Sequence, residues 1–287
     1  MISRRWLVFF CACGALIALA TGALGANVDA RVADESRFTG ATELRSSDAI
    51  SSTIFLPLAG KLFTTTASCG AIVSETYHTL AMLPPPTDRP AEAHADLNLA
   101  LRGYVATSAT LALIDLGGGS DPGAPQLPGL FQDNRTPTFS SAHRVYDWNW
   151  TCNCRGSALT TWDVTLIKMA TTPGEIIRVP ASGYDIGTLP SGHAVTVLYA
   201  SATRITLKYT RNDNVILGYT LHLEDVCVEP GLLNLYNAMN AAGRASLPAL
   251  FAGQGVGRTL SNSIGVAIRD SGTFLDPRSR KDWWIGR

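Results

Sequence analysis

The 287 residues are 46% hydrophobic and 16% charged, enough apolar content for a packed core, which excludes disorder as the main state. Lys plus Arg and Asp plus Glu each number 23, so no net charge steers the chain toward nucleic acid or an anionic membrane surface. Length allows one large domain or two ordinary ones.

Arg4 and Arg5 precede an apolar run over residues 6–20, and the small residues Ala23-Leu24-Gly25 follow it. This is the pattern of a signal peptide over 1–26, and it implies a secreted, periplasmic or cell-surface protein. The alternative is an uncleaved anchor, because residues 6–26 supply about the 20 residues a bilayer core needs. Residues 27–53, rich in Ala, Ser, Asp, Glu and Arg without a sustained apolar period, read as a linker or disordered leader.

Residues 54–155 read as a less regular β and loop region. Pro84, Pro85, Pro86 and Pro90 impose an extended passage, and Leu97, Leu99 and Leu101 then alternate with polar residues as in a strand. Residues 109–116 continue an apolar pattern up to Gly117-Gly118-Gly119, which lacks the spacing and lysine of a phosphate loop and reads as a turn. Asp115, Asp121 and Asp133 do not follow the spacing of a calcium loop. In residues 143–150, Tyr146, Trp148 and Trp150 alternate on one strand face. The preferred reading has them fill the core around a disulfide; the alternative exposes them to stack on a sugar ring.

Residues 156–287 form the β-rich carboxy-terminal domain. Short strands at 162–169, 175–179, 194–200 and 263–269, separated by Pro and Gly, suggest an antiparallel sandwich or barrel-like fold. One helix is inserted at about 230–242, with Pro230 in its first turn, Leu232, Leu235, Tyr236 and Met239 on one face, and Gly243 at its end. The clearest hairpin spans 204–223. Ile205, Leu207 and Tyr209 lie on one side of its first strand, and Val215, Leu217, Tyr219, Leu221 and Leu223 on one side of its second. Thr220, His222 and Glu224 occupy the second strand's more polar face, which makes His222 the first candidate site residue; Glu224 beside it and Tyr219 on the apolar side of the same strand are candidate binding residues.

Beyond the signal, Cys69, Cys152, Cys154 and Cys227 are an even set suited to disulfides in an oxidising compartment. Cys152 and Cys154, one residue apart, are poorly placed to bridge each other, so each is expected to reach Cys69 or Cys227. A Cys-x-Cys metal half-site is the other reading, without a second pair to complete it.

The order Thr172-Pro173-Gly174-Glu175-Ile176-Ile177, Gly218-Tyr219-Thr220-Leu221-His222-Leu223, Ala252-Gly253-Gln254-Gly255-Val256-Gly257, then Ile264 to Arg269 and Asp276-Pro277 resembles the lysostaphin-type zinc endopeptidases over about residues 160–280. The resemblance implies a catalytic role for His222 and zinc ligation by His143 and Asp147, which match a His-x-x-x-Asp motif. Where the family carries a His-x-His zinc motif, this chain has Ser263-Ile264-Gly265, which offers no ligand. The expectation is therefore an exported, non-catalytic binding or structural protein of the cell envelope, a degenerate relative of peptidoglycan endopeptidases, with cell-wall glycan or peptide as partner and no cofactor. An active zinc peptidase is the alternative and needs a third ligand such as His94 or His193; a disulfide-stapled structural domain without a ligand is the second.

Overall fold

Both faces of the central hairpin are closed, so its polar side chains are as hidden as its apolar ones. A computed structural model describes residues 69–186 and 192–287; the expected signal peptide and leader lie outside the described residues. The strands are β1 (His78–Ala81), β2 (Tyr104–Thr107), β3 (Phe139–Asn149), β4 (Cys154–Ala158), β5 (Leu166–Ala170), β6 (Ile176–Arg178), β7 (His193–Ser201), β8 (Arg204–Lys208), β9 (Tyr219–Glu224), β10 (Val226–Val228), β11 (Ser246–Phe251), β12 (Gly255–Thr259), β13 (Ser263–Asp270) and β14 (Thr273–Leu275). The helices are α1 (Leu99–Arg102), α2 (Pro230–Ala241) and α3 (Arg280–Trp283).

The fold is mainly β, antiparallel and sandwich-like, without closing into a barrel. Among the described residues one large sheet runs β1-β11-β7-β8-β9-β13-β5-β3-β2, with β14 added to β13 and β4 to β3, and a second sheet runs β10-β12-β6. Strands from either side of residue 155 share the large sheet, since β3 pairs with β5 and β1 with β11.

Register assigns the faces, because successive side chains on a strand alternate. Ile205, Leu207, Leu221, Leu223, Val266, Ile268 and Ile167 point into the main core, where each buried aliphatic side chain stabilises by about 1.5–3 kcal/mol. The opposite face carries Thr206, Lys208, Thr220, His222, Glu224 and Arg269 beside a smaller core of Leu99, Val145, Leu166, Ala267 and Phe274.

Residues 94–102, expected as a strand, are instead a turn followed by α1. The Asn98 side chain accepts from the Ala100 amide and donates to the Glu92 carbonyl, and its own N–H bonds back to the His94 carbonyl. Leu97 and Leu99 are then both buried, which explains the misleading alternation. The second hairpin strand begins at Tyr219 rather than Val215. Gly218 takes a left-handed φ of 66° and Ile216 and Leu217 are exposed, so 209–218 is a long loop. The inserted helix forms at Pro230–Ala241, with the Glu229 carboxylate capping the Leu232 amide at 2.7 Å.

The disulfides pair Cys69 with Cys227 and Cys152 with Cys154, against the expected crosswise pairing. Asn153 has a left-handed φ of 50°, which curls the chain and brings the flanking Cα atoms to 5.3 Å, within bridging range. The Cys69–Cys227 link spans 158 residues and contributes about 5 kcal/mol by loop entropy, whereas the link over 2 residues contributes below about 2 kcal/mol.

β9 leads into β10 through Asp225, whose φ of 62° turns the chain from the large sheet into the small one. There Gly257 lies opposite Val228, and a Cβ at this position would fall on the Cys227 backbone carbonyl. Gly257→Ala is expected to lower stability by about 1–3 kcal/mol in urea denaturation. An unchanged midpoint would show that the two strands can separate freely.

Candidate binding cleft

His222 is wholly buried. Thr206 Oγ1 donates to the Leu97 carbonyl at 2.7 Å and lies 3.1 Å from His222 Nδ1. The hydroxyl has one proton and spends it on Leu97, so His222 Nδ1 carries the hydrogen of that second contact and Nε2 holds a lone pair. Among the described residues His222 Nε2 has no hydrogen-bond partner. Burial, reinforced by Arg269, pushes the imidazole well below its usual pKa, and the ring is neutral. Its face lies against Phe274 at 5.9 Å between centroids. This is a core histidine, not the half-exposed one that the strand pattern suggested.

The residues proposed for zinc are not gathered. His143 and Asp147 are four residues apart on one strand, about 13 Å of extended chain, and His222 is three strands away, about 14 Å across the sheet. His143 stacks edge-on against Tyr104 at 5.2 Å, and Asp147 lies 3.6 Å from Arg102. His94 accepts from the Asp96 amide, and His193 stacks on Phe251 at 4.2 Å. Among the described residues no group of three or more His, Cys, Asp or Glu side chains is placed to hold a metal ion. These residues do not fit a zinc site.

Glu224 is buried and accepts from Arg204 Nε at 3.2 Å, while burial raises its pKa. Tyr146, Trp148 and Trp150 are not in the core. β3 runs past the sheet and pairs beyond Tyr146 only with the exposed β4, so Trp150 is left 42% exposed. Trp148 and Trp150 meet edge-on at 6.4 Å, and the Arg89 guanidinium covers Trp150 at 4.8 Å.

Two sequence candidates reach a cavity: Asp147 lines one of about 200 Å³ with Arg102, Arg269 and Phe274, and Tyr219 lines a larger cleft. Two hollows of about 310 and 320 Å³ adjoin at Asp121, Tyr219 and Asp270. Tyr184 and Thr210 line one, and Trp162, Lys281 and Trp283 line the other. Asp121 Oδ2 accepts from the Tyr184 hydroxyl at 2.7 Å and the Tyr219 hydroxyl at 2.9 Å, and Oδ1 accepts from the Gly123 amide at 2.8 Å. The Tyr184 hydroxyl leads these donors in holding the Asp121 carboxyl below its usual range, so it stays ionised. Tyr219 is correspondingly raised, by burial and then by Asp121.

Close backbone approach places these groups. The Gly183 amide donates to the Gly123 carbonyl at 2.9 Å, and a Cβ on Gly183 would crowd the Gly123 Cα, so the two loops meet this closely because residue 183 is glycine. The carboxy-terminal segment braces the other wall. Ile114 and residues 278–280 exchange backbone hydrogen bonds, Arg278 pairs with Asp276 at 2.6 Å, and Trp283 packs against Tyr219 at 5.7 Å.

No family model, curated protein or solved structure matches this chain.

Sequence reasoning weighed Asp121 only against a calcium loop and missed Tyr184 and Asp270, because the three come from two loops and a strand end that only the fold unites. The one available signal was Tyr219 itself, at the start of the best-patterned strand.

Behind the cleft wall, Lys208 donates to the Gly218 carbonyl at 3.0 Å and to Thr220 Oγ1 at 3.2 Å while fully buried. Burial, then Arg269, lowers its pKa from 10.5 to about 7, against a small opposing pull from Asp270. Between about pH 7 and 10 the unfolded chain therefore holds a proton that the native protein has released, and stability rises with pH across that window. Lys208→Met is expected to abolish this rise in urea unfolding compared at pH 7 and 9.5. Equal slopes for the two proteins would contradict it.

Proposed function

We propose that the protein is an exported, non-catalytic binding domain of the cell envelope, and that it holds a glycan segment in the cleft around Asp121, Tyr219 and Asp270. The observation that carries this reading is the fixed, ionised Asp121 carboxylate beside two tyrosine rings, one of them, Tyr184, 47% exposed. A sugar offers hydroxyl donors to such an acceptor and a C–H face to such rings. Concave sites with aromatic walls and a few fixed polar groups are the usual form of small-ligand sites. The amino-terminal signal pattern supports export, and the resemblance to lysostaphin-type endopeptidases supports an envelope setting without requiring their chemistry.

Trp162 and Trp283 line the cleft, so occupancy has an intrinsic reporter. Titration with soluble glycan fragments of peptidoglycan is expected to give a saturable change in tryptophan fluorescence. Asp121→Asn and Tyr184→Ala are each expected to weaken it about tenfold, or about 1.4 kcal/mol. A flat titration, or equal binding by both variants, would overturn the reading. Saturation by stem peptide but not by glycan would transfer the cleft to a peptide ligand.

A further inference from the structure

The Cys152–Cys154 bridge does little for the fold. It closes a ring over a separation of 2 residues, so it restricts the unfolded chain far less than the bridge over 158 residues. Both of its cysteines are exposed at the tip of the β3–β4 hairpin, whereas Cys227 is 4% exposed.

Groups outside the bridge hold the tip in shape. Asn153 Oδ1 accepts from Arg89 Nη1 at 3.0 Å and from Trp148 Nε1 at 3.3 Å, which fixes the residue between the two cysteines. Asn149 Oδ1 accepts from the Thr151 amide at 2.9 Å and the Cys152 amide at 3.4 Å, which fixes the approach to it. The tip is therefore held in shape by hydrogen bonds that do not need the covalent link. The Asn149 carbonyl also lies 3.6 Å from Cys152 Sγ, in place to accept from a thiol there. Arg89 brings its guanidinium to the same tip, where its other nitrogens pair with the Asp88 carboxylate.

We propose that Cys152 and Cys154 are a redox-active pair that exchanges with external thiols, and that Cys69–Cys227 alone is the structural bridge. An incoming thiolate attacks Cys154 Sγ and forms a mixed disulfide as the Cys152–Cys154 bond breaks. The released electron pair stays on Cys152 Sγ, which takes a proton and donates to the Asn149 carbonyl. A second external thiolate then attacks the external sulfur of the mixed disulfide and releases Cys154 as a thiolate. Two external thiols are thereby oxidised to one disulfide, and the protein gains two electrons. Exposed bridges are the labile and regulatory ones.

The test uses the full chain equilibrated in glutathione buffers of graded ratio, quenched by alkylation and mapped by peptide mass. Cys152–Cys154 is expected to be half reduced at a ratio of reduced to oxidised glutathione at least tenfold lower than Cys69–Cys227 requires, with the β-sheet circular dichroism retained. The reduced pair is then expected to react with oxidised glutathione in a fast phase that Cys152→Ser/Cys154→Ser lacks. Reduction of both bridges over the same range, survival of Cys152–Cys154 beyond Cys69–Cys227, or loss of the sheet signal when only Cys152–Cys154 opens would overturn the proposal. Neither cysteine lines the cleft, so loss of glycan binding would leave this result untouched.

Discussion

Asp96 holds two buried guanidiniums at once. Its Oδ1 accepts from Arg102 Nη2 at 2.7 Å and from Arg269 Nη1 at 2.8 Å, joining the 91–102 segment to β13. Burial alone would raise this carboxyl, but Arg269 and Arg102 overcome it and keep it at about 2. Both guanidiniums also approach the Phe274 ring, at 4.5 and 5.7 Å. Removing one partner of such a network leaves uncompensated charge in a dry interior, a loss on the order of 3–5 kcal/mol. The covered face depends on this contact, because it is what lets a polar sheet surface close under α1.

The closure decides where ligands can and cannot go. His222, Thr206, Lys208 and Thr220 are all buried, with Thr206 bonded to Leu97 of the segment, so the most polar face of the best-patterned hairpin is interior. At the open end of the same strands, Gly218, Tyr219 and Asp270 emerge beside loops that bring Asp121 and Tyr184. One pair of strands thus contributes an inert buried histidine in mid-strand and a cavity wall at its end.

The sheet content, the inserted helix and the 204–223 hairpin were legible because strand and helix periods leave direct marks in sequence. Periodicity misled at Leu97 and Leu99, where alternation reflects burial on both sides of a turn rather than a strand. It misled again at His222, because a polar face was equated with an exposed one, and nothing local announces that Asp96 and Arg102 lie over it. The Cys152–Cys154 pairing depends on the left-handed backbone of Asn153, which spacing alone does not disclose. Of the candidate residues, Tyr219 and Asp147 each reach a cavity, while Glu224 and His222 serve the interior and Trp148 and Trp150 cover the projecting hairpin.

The sealed face is tested most directly by following the imidazole resonances of the folded protein by NMR between about pH 5 and 8, where an unperturbed histidine titrates. His222 is expected to stay neutral throughout, with its proton on Nδ1, because burial holds its pKa well below the usual value. A His222 titration with a midpoint near 6.5, the ordinary value, would contradict the closed face and return that histidine to the list of site residues.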